Sequence, residues 1–216
     1  MDIVANFTNV RKAAGFITTS VPFAERQIIK MKKRLVVGLT GASGAPIALM
    51  LLRAIKPIPE WETHVIYSKS FLKTLETETD CTVEELRELC DYDYDLHDMA
   101  ASVSSGTFRT EGMVIVPCSM KTVAGIACGY SENLILRAAD VTIKEHRKLV
   151  LVARESPLSS IHLNNMLTLS QMGVSILPPM LTYYNNPKTV EDMTRHIVGK
   201  ALSIFDLEMP NFRRWE

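Results

Sequence analysis

Three glycines surround the segment with the clearest potential for ligand chemistry. Gly38, Gly41 and Gly44 recur every third residue, where a buried apolar run at 35–39 gives way to a predicted helix. Glycine lets backbone amides approach a phosphate closely, and the first turn of a helix adds favourable partial charge. We therefore predict that this loop binds a phosphate-bearing ligand. A tight turn without a ligand is the alternative for an isolated motif.

Polar or turn-forming segments follow every predicted strand of the chain. They comprise 40–44, 68–70, 117–122, 154–157 and 178–186. Ligands of open α/β sheets bind beyond the carboxyl ends of the strands, where such segments meet. This agreement predicts one active site along that edge, with hydroxyls and amides of 117–122 able to hold a ring or a phosphate.

Cationic side chains near predicted element ends could bind a second, small phosphate. They are Arg137, Lys144, Arg154 and Lys200, and Tyr184 could join them. Glu155 directly follows Arg154, and a carboxyl group beside a bound phosphate can give it a proton as it leaves. Pairing with a neighbouring arginine is an equally weighted role for Glu155. Each cation taken singly has the ordinary alternative of a solvated surface charge.

Composition argues against several other kinds of chemistry. Lys plus Arg equals Asp plus Glu at 24 each, so the neutral chain gives no reason to expect nucleic acid or an anionic membrane as a partner. No apolar run in the sequence is long enough to span a membrane. The cysteines and histidines lack zinc-ligand spacing, and we expect no bound metal. Cys118 is predicted to be a small buried residue rather than a nucleophile, since no partner base lies near it in sequence.

Strands and helices alternate along the chain and must position these segments. Predicted strands cover 35–39, 64–67, 113–116, 149–152 and 174–177. Predicted helices cover 45–56, 70–79, 83–90, 119–127, 132–147, 158–172 and 189–206, and 82–85 has the form of a capping box. The stretch 91–110 is acidic and then serine-rich, so we expect a mobile loop there. The alternation predicts an α/β fold with a parallel sheet covered on both faces.

The first thirty residues differ from the rest of the chain. They contain Asp2 and Glu25 and lack an uninterrupted apolar segment, which argues against a secretory signal. We predict an N-terminal extension at 1–30 that lies outside the natural core, followed by a single domain at 31–216. The expected compartment is the cytoplasm, or the mitochondrion if the basic residues of 1–30 form a presequence.

Taken together, the motifs resemble those of the UbiX-type flavin prenyltransferases, a family formerly labelled phenylacrylic or hydroxyaromatic acid decarboxylases. The matching segments are Thr40–Ala45, Thr77–Asp80, Pro117–Ser119, Asn133–Ile135, Arg137–Val141, Lys144–Glu145, Arg154–Leu163, Asn165–Leu167 and Val190–Asp192. The resemblance extends from about Lys33 to the C-terminus. Its joint pattern is far more specific than the glycine loop alone.

The resemblance implies a flavodoxin-like fold, a Rossmann-like three-layer sandwich, assembled as a homododecamer with sites where subunits of a trimer meet. It implies a metal-independent transferase that joins the dimethylallyl group of dimethylallyl phosphate to N5 and C6 of reduced FMN. The implied product is prenylated FMN, the cofactor that a UbiD-type decarboxylase uses in aromatic acid decarboxylation.

The resemblance also implies roles for individual residues. FMN contacts are implied for Gly41, Ala42, Ser43, Ser68, Ser119, Met120, Lys121, Thr122 and Arg137, with Ser43 near N5 of the flavin. The prenyl-phosphate site is implied to contain Lys144, Arg154, Tyr184 and Lys200, with Glu78 supplied by a neighbouring subunit. Glu155 and Ser43 are the implied catalytic residues, Glu155 as the acid that assists phosphate departure. The chain departs from some members at 97–100, where they have a tryptophan, and at Lys200, where they have arginine.

Three other functions compete with this one. An FMN-dependent cysteine decarboxylase of related fold would need a Pro-x-Met-Asn type clamp, whereas Met180-Leu181-Thr182 follows Pro179 here. A non-enzymatic flavin carrier would need the glycine loop but not the Lys, Arg, Glu and Tyr set. Decarboxylation of aromatic acids by the protein itself would need an electron sink beyond the flavin, which no residue supplies.

Overall fold

The computed structural model describes residues 31–215, and the predictions made for residues 1–30 lie outside this range. The strands are β1 (Lys33–Leu39), β2 (Trp61–Tyr67), β3 (Tyr92–Tyr94), β4 (Gly112–Cys118), β5 (Lys148–Ala153) and β6 (Ser175–Ile176). The helices are α1 (Ala45–Ile55), α2 (Lys69–Glu78), α3 (Val83–Leu89), α4 (Met120–Ala127), α5 (Leu134–Lys144), α6 (Ser160–Gln171) and α7 (Val190–Ser203).

All six strands form one parallel sheet in the order β3-β2-β1-β4-β5-β6. The chain runs outward from β1 to β3 and then crosses back to place β4 on the other side of β1. Open α/β sheets bind ligands beyond the carboxyl ends of the strands at such a reversal. The two connections that meet there are the glycine loop, between β1 and α1, and the segment between β4 and α4.

Helices cover both faces of the sheet. In β1, Leu35, Val37 and Leu39 pack with α1, α2, α3 and α7, whereas Val36 packs with α4, α5 and α6. Alternating side chains therefore enter two separate cores, and the central strands are apolar on both faces. This architecture confirms the predicted α/β fold with a flavodoxin-like three-layer arrangement.

The predicted capping box at the start of α3 is confirmed. The Glu85 amide donates to Thr82 Oγ1 at 3.2 Å, and the Thr82 amide donates to the Glu85 carboxylate at 2.8 Å. Two amides that a helix start leaves without intrahelical acceptors are thereby satisfied within one short sequence motif.

The prediction of a loop throughout 91–110 is wrong in two places. Tyr92–Tyr94 forms β3 along the edge of β2, and Ser102–Ser104 forms a 3₁₀ turn. The buried His64 ring stacks on Tyr92 with 4.7 Å between ring centroids, and its Nδ1 lies 2.8 Å from the Tyr94 hydroxyl. A strand of three polar residues shows no alternation of apolar residues in the sequence. It is therefore recognised only through these contacts with β2.

Three negative predictions can be compared with the described residues. Cys118 is fully buried, which raises the pKa of its thiol and confirms its prediction as a packing residue. Within residues 31–215, no helix combines the length and apolar character needed to cross a membrane. In the same part of the chain, no three His, Cys, Asp or Glu side chains are grouped so that they could hold a metal ion.

Candidate active site

The buried Thr40 hydroxyl joins the glycine loop to the segment after β4. Thr40 Oγ1 donates to the Pro117 carbonyl at 2.8 Å and accepts from the Ser119 amide at 2.8 Å. The Thr40 amide donates to the same carbonyl at 3.2 Å. The sequence did not identify Thr40 itself as a site residue, because a threonine after a strand gives no indication of its distant hydrogen-bond partners. Its two hydroxyl bonds fix the separation of the two loops that contain most predicted FMN contacts.

Gly41 lies directly against the start of α2. A Cβ atom at this position would overlap with the Ser70 side chain and press on its backbone. A cavity of about 350 Å³ opens beside this contact and is lined by Gly41, Ala42, Ser43, Ser70, Lys73, Thr74, Thr77 and Glu78. A larger cavity of about 880 Å³ includes Leu49 and Val190 in its lining and contains none of the predicted site residues. The loop therefore offers a ligand backbone and a hydroxyl rather than a deep pocket.

Ser68 and Ser119 cap the helices that follow β2 and β4. Ser68 Oγ accepts from the Phe71 amide at 3.1 Å, and Ser119 Oγ accepts from the Thr122 amide at 3.4 Å. The first amides of α2 and α4 lack intrahelical acceptors, as at every helix start, and can attract an anionic group. The Met120 side chain is buried in the core, so this residue can contact a ligand only through its backbone.

Glu78 occupies the start of α1, where we predicted a phosphate. Its Oε2 accepts from the amides of Gly44 and Ala45, each at 2.9 Å, and the Ser43 side chain is close enough to favour the charged form of this carboxylate. Within the described residues a carboxylate therefore satisfies these two amides, and phosphate binding at the α1 start stays a prediction. The sequence showed an acidic residue at the end of α2 but not that it lies against the glycine loop.

The surroundings of Glu78 make its carboxylate a source of stability at neutral pH. Burial raises the pKa of Glu78, but the contact with Ser43 and the bonds from Gly44 and Ala45 outweigh burial and hold the pKa below its usual value. A depressed pKa in the folded state contributes stability above the unfolded pKa, and this contribution is lost as pH falls through the folded pKa.

We expect Glu78→Gln to lower the free energy of unfolding at pH 7 by about 1–2 kcal/mol, since charge-assisted bonds to the α1 start are replaced by neutral ones. Below about pH 4.5 the difference between the variant and the unmodified protein should shrink. Urea unfolding at pH 7 and at pH 3.5 measures both values. Glu76→Gln is the matched control on the same helix, because Glu76 is exposed and, among residues 31–215, pairs only with Lys73. An equal loss at the two pH values would contradict this account of Glu78.

Arg154 and Glu155 follow β5 and lie beside the loop that Thr40 holds. The Arg154 amide donates to the Cys118 carbonyl at 3.0 Å, next to Ser119 in the chain. The Arg154 guanidinium is close enough to Glu78 to favour the charged carboxylate. Both Arg154 and Glu155 are exposed, and one Glu155 oxygen accepts from the Ser156 amide at 3.1 Å. A cation and a carboxyl group thus stand at the same edge as the glycine loop.

Arg137 and Lys144 form a second group, on α5. Arg137 donates to the Ser104 carbonyl at 3.1 Å and to Asp140 at 2.7 Å, and Lys144 pairs with Glu145 beside Gly106. The Arg137 bond joins α5 to Ser104, and the Lys144–Glu145 pair lies against Gly106. Arg147, which sequence reasoning missed, donates to the Gly106 carbonyl at 2.6 Å and to the Phe108 carbonyl at 2.9 Å. Because these carbonyl groups lie far from Arg147 in the sequence, no local sequence pattern indicates the contacts.

Tyr184 and Lys200 belong to a third group, near the C-terminus. The Tyr184 hydroxyl lies 3.3 Å from Nε2 of His196, four residues before Lys200 on α7. Within residues 31–215, no hydrogen bond or ion pair joins this group to Arg154 and Glu155, or joins the α5 group to either. One chain therefore joins the glycine loop, Ser119 and Arg154 through hydrogen bonds, whereas within the described residues the other predicted prenyl-phosphate residues are not bonded to them.

Comparisons with known proteins show which family the chain resembles. The family model described as Flavoprotein matches residues 24–202. A probable UbiX-like flavin prenyltransferase of Escherichia coli O157:H7 is 52% identical over 183 residues, covering 85% of this chain and 93% of the relative. The mitochondrial flavin prenyltransferase PAD1 of Saccharomyces cerevisiae is 42% identical over 220 residues, covering 97% of this chain and 90% of the relative.

Solved structures extend the comparison to the fold. AnUbiX (PadA1), in complex with FMN and dimethylallyl pyrophosphate, has a TM-score of 0.83 and 46% identity, covering 86% of this chain and 98% of its own. A dodecameric FMN-dependent UbiX-like decarboxylase from Escherichia coli O157:H7 has a TM-score of 0.83 and 52% identity, covering 85% of this chain and 99% of its own. The family match and this identity over most of both chains lead to one conclusion. The chain belongs to the flavoprotein family and, within it, to the UbiX-like flavin prenyltransferases.

Proposed function

We propose that this protein is a flavin prenyltransferase that joins the dimethylallyl group of dimethylallyl phosphate to N5 and C6 of reduced FMN. The observation that supports this most directly is the meeting of the glycine loop, Ser119, Arg154 and Glu155 at the carboxyl edge of β1, β4 and β5. At that edge the backbone of the glycine loop lies beside a cation, Arg154, and an acid, Glu155. The relatives named flavin prenyltransferase, and the neighbour bound to FMN and dimethylallyl pyrophosphate, support the same chemistry.

The residues around the glycine loop fit a flat ring with a phosphate tail. The absence of a side chain at Gly41 lets the loop pack directly against Ser70 at the start of α2, and Ser43 adds a hydroxyl close to the Glu78 carboxylate. Because Glu78 occupies the α1 start, we assign the FMN phosphate to the starts of α2 and α4, at Ser68 and Ser119–Thr122. Arg137 would reach this ligand from α5. Reduced FMN, when bound, supplies the nucleophilic atoms.

The remaining polar residues would act on the departing phosphate. Arg154, Lys144 and Lys200 would neutralise its charge, and Tyr184 would donate its hydroxyl proton in a hydrogen bond to a phosphate oxygen. Glu155 would give a proton to the phosphate as its bond to the allylic carbon breaks. Charge neutralisation and protonation make the phosphate a better leaving group. The adjoining glycine loop would hold the acceptor, reduced FMN, in line with it.

A second copy of the chain is needed to complete this site. Arg154 and Glu155, Lys144, and Tyr184 with Lys200 form separate groups in one chain, so we propose that they converge where subunits of a trimer meet within a dodecamer. The surface of α6 supports assembly, because Ile161, Leu163 and Leu167 are each more than half exposed. A patch of large apolar side chains on a globular protein is typical of an interface. The E. coli structure described as dodecameric supports the same assembly.

We expect Leu167→Glu to break the assembly into smaller species, since an ionised carboxylate is costly in a buried apolar contact. Prenyl transfer should fall with it, because the separate groups no longer meet. Light scattering coupled to size-exclusion chromatography measures the mass. Gln171→Glu, which adds the same charge to an exposed position on the same helix, is the matched control. A variant that keeps its mass would remove α6 from the proposed interface.

Anaerobic incubation with reduced FMN and dimethylallyl phosphate tests the proposed function. Mass spectrometry of the extracted flavin should show the gain of one dimethylallyl-derived group and no net phosphate. A parallel reaction with dimethylallyl pyrophosphate decides which ester is the donor. An unchanged flavin with both donors would favour the flavin carrier. Solved cysteine decarboxylases such as EpiD of Staphylococcus aureus share the fold at 22% identity with a TM-score of 0.52, which supports no shared activity.

We further propose that a UbiD-type decarboxylase receives the product. Adding the extracted flavin to such an enzyme in its cofactor-free form should restore decarboxylation of an aromatic acid, whereas FMN alone should not. The proposed compartment is the cytoplasm, with the mitochondrion as the alternative because the yeast relative is named mitochondrial. Fluorescent fusions of the chain with and without residues 1–30 distinguish the two compartments.

A further inference from the structure

Tyr184 is held by aromatic contacts rather than by regular secondary structure. It belongs to the segment 178–189 between β6 and α7, which contains no helix or strand. Its hydroxyl lies 3.3 Å from Nε2 of His196, and the two rings meet edge to face with 5.5 Å between centroids. Trp215 contacts the Tyr184 ring at 5.2 Å, also edge to face. Among polar atoms of the described residues, only His196 Nε2 bonds to the hydroxyl, so His196 determines where it points.

His196 is itself fixed in place. It lies on α7, and the Phe212 ring packs against its imidazole with 5.3 Å between centroids. Phe212 reaches this position because Gly199 has no side chain, since a Cβ there would overlap with the Phe212 ring. In this structure the C-terminal segment 212–215 packs on its own chain.

The two imidazole nitrogens of His196 have different surroundings. Nε2 faces the Tyr184 hydroxyl, whereas Nδ1 is buried and has no hydrogen-bond partner among residues 31–215. Burial, with a smaller contribution from Lys200, lowers the pKa of His196, so the ring is neutral at pH 7. A neutral imidazole has one N–H, and a buried N–H without an acceptor is rarer than an acceptor without a donor. The proton is therefore assigned to Nε2.

We infer that His196 is a positioning residue that donates its Nε2–H to the oxygen of Tyr184. That bond uses the phenol oxygen as an acceptor, and the Tyr184 O–H remains free to donate to another group. In the opposite tautomer Nε2 would be an acceptor, and the phenol would donate its only proton to it. The inference rests on the proposed function, in which Tyr184 and Lys200 bind the phosphate of the allylic ester. His196 would orient a donor for that phosphate without touching it.

Three variants test this inference. His196→Phe keeps an aromatic ring against Phe212 but removes the donor, His196→Gln keeps an N–H close to Nε2, and Tyr184→Phe removes the hydroxyl. We expect His196→Phe to raise the KM for dimethylallyl phosphate by about three- to tenfold, as the loss of one neutral hydrogen bond does. The Kd for FMN should stay unchanged, because the proposed FMN contacts lie at the glycine loop and at the starts of α2 and α4, away from His196.

The conservative variant and the double variant separate positioning from packing. His196→Gln should recover most of the lost affinity, and His196→Phe should add nothing in a Tyr184→Phe background. Equal impairment by phenylalanine and glutamine, or additive losses in the double variant, would overturn the inference. If the unmodified protein transfers no prenyl group, the proposed function fails. Calorimetric titration of the same FMN-loaded variants with dimethylallyl phosphate then still decides the role of His196.

Discussion

Replacing Glu155 with glutamine is expected to lower kcat for prenyl transfer by about a hundredfold or more, the contribution typical of a well-placed general acid. Glutamine matches glutamate in size and can still accept from the Ser156 amide, as Glu155 does at 3.1 Å, but it has no proton to give to the phosphate. The Kd for FMN should not change, because within the described residues no hydrogen bond or ion pair joins the Glu155 side chain to the glycine loop. Single-turnover measurement of flavin prenylation isolates this step from product release.

Glu111→Gln provides the control for the loss of one carboxylate. Glu111 is exposed at the start of β4, at the opposite edge of the sheet, so its replacement should leave both binding and turnover intact. If Glu155→Gln turns over dimethylallyl phosphate at the unmodified rate, Glu155 is not the acid. The cationic side chains of the proposed site would then have to assist phosphate departure by neutralising its charge alone.

Replacing Gly41 with alanine is expected to weaken FMN binding by at least about tenfold. The added Cβ would overlap with Ser70, so the loop must move away from the start of α2, and overpacking of this kind costs about 1–3 kcal/mol. The displacement separates the Gly41–Ser43 backbone from Ser68 and Ser119, which the proposal assigns to the same ligand. Fluorescence titration with FMN measures the affinity, and thermal unfolding measures the accompanying loss of stability.

Gly129→Ala is the matched control for that substitution. Gly129 has φ of 71° and nothing within 4 Å of its Cβ position, so alanine strains the backbone there by about 1 kcal/mol without contacting the site. Both variants should lose stability, but only Gly41→Ala should lose FMN. Equal affinities for FMN in the two variants would show that the glycine loop does not cradle the ligand.

Much of the fold was predictable because its signals are local. The apolar runs at 35–39 and 113–116 identified β1 and β4, and the Thr82–Glu85 motif located the start of α3. β3 was missed, since its three polar residues are recognised only through the contacts of Tyr92 and Tyr94 with His64. A short edge strand depends on its neighbour in the sheet, and that neighbour is about thirty residues away in sequence.

The edge of the sheet at which the candidate site lies was also predictable. Polar segments after each strand indicated one edge of the sheet, and the order of the strands agrees with it. The partners of those residues were not predictable. Glu78 was expected to serve a neighbouring subunit, a role that remains a prediction, and within its own chain it bonds to the α1 start. Thr40 and Arg147 bond to carbonyls between 39 and 77 residues away.

The sequence by itself determined that this is an α/β protein with a glycine loop, and its motifs identified the family. Those properties follow from the period of apolar residues and from short motifs, which depend on neighbours along the chain. The tertiary structure alone decided that Glu78 occupies the start of α1, that Thr40 joins two loops, and that Nε2 of His196 faces Tyr184. These hydrogen bonds require donors and acceptors within about 3 Å of each other. Only the packing of distant segments creates that proximity.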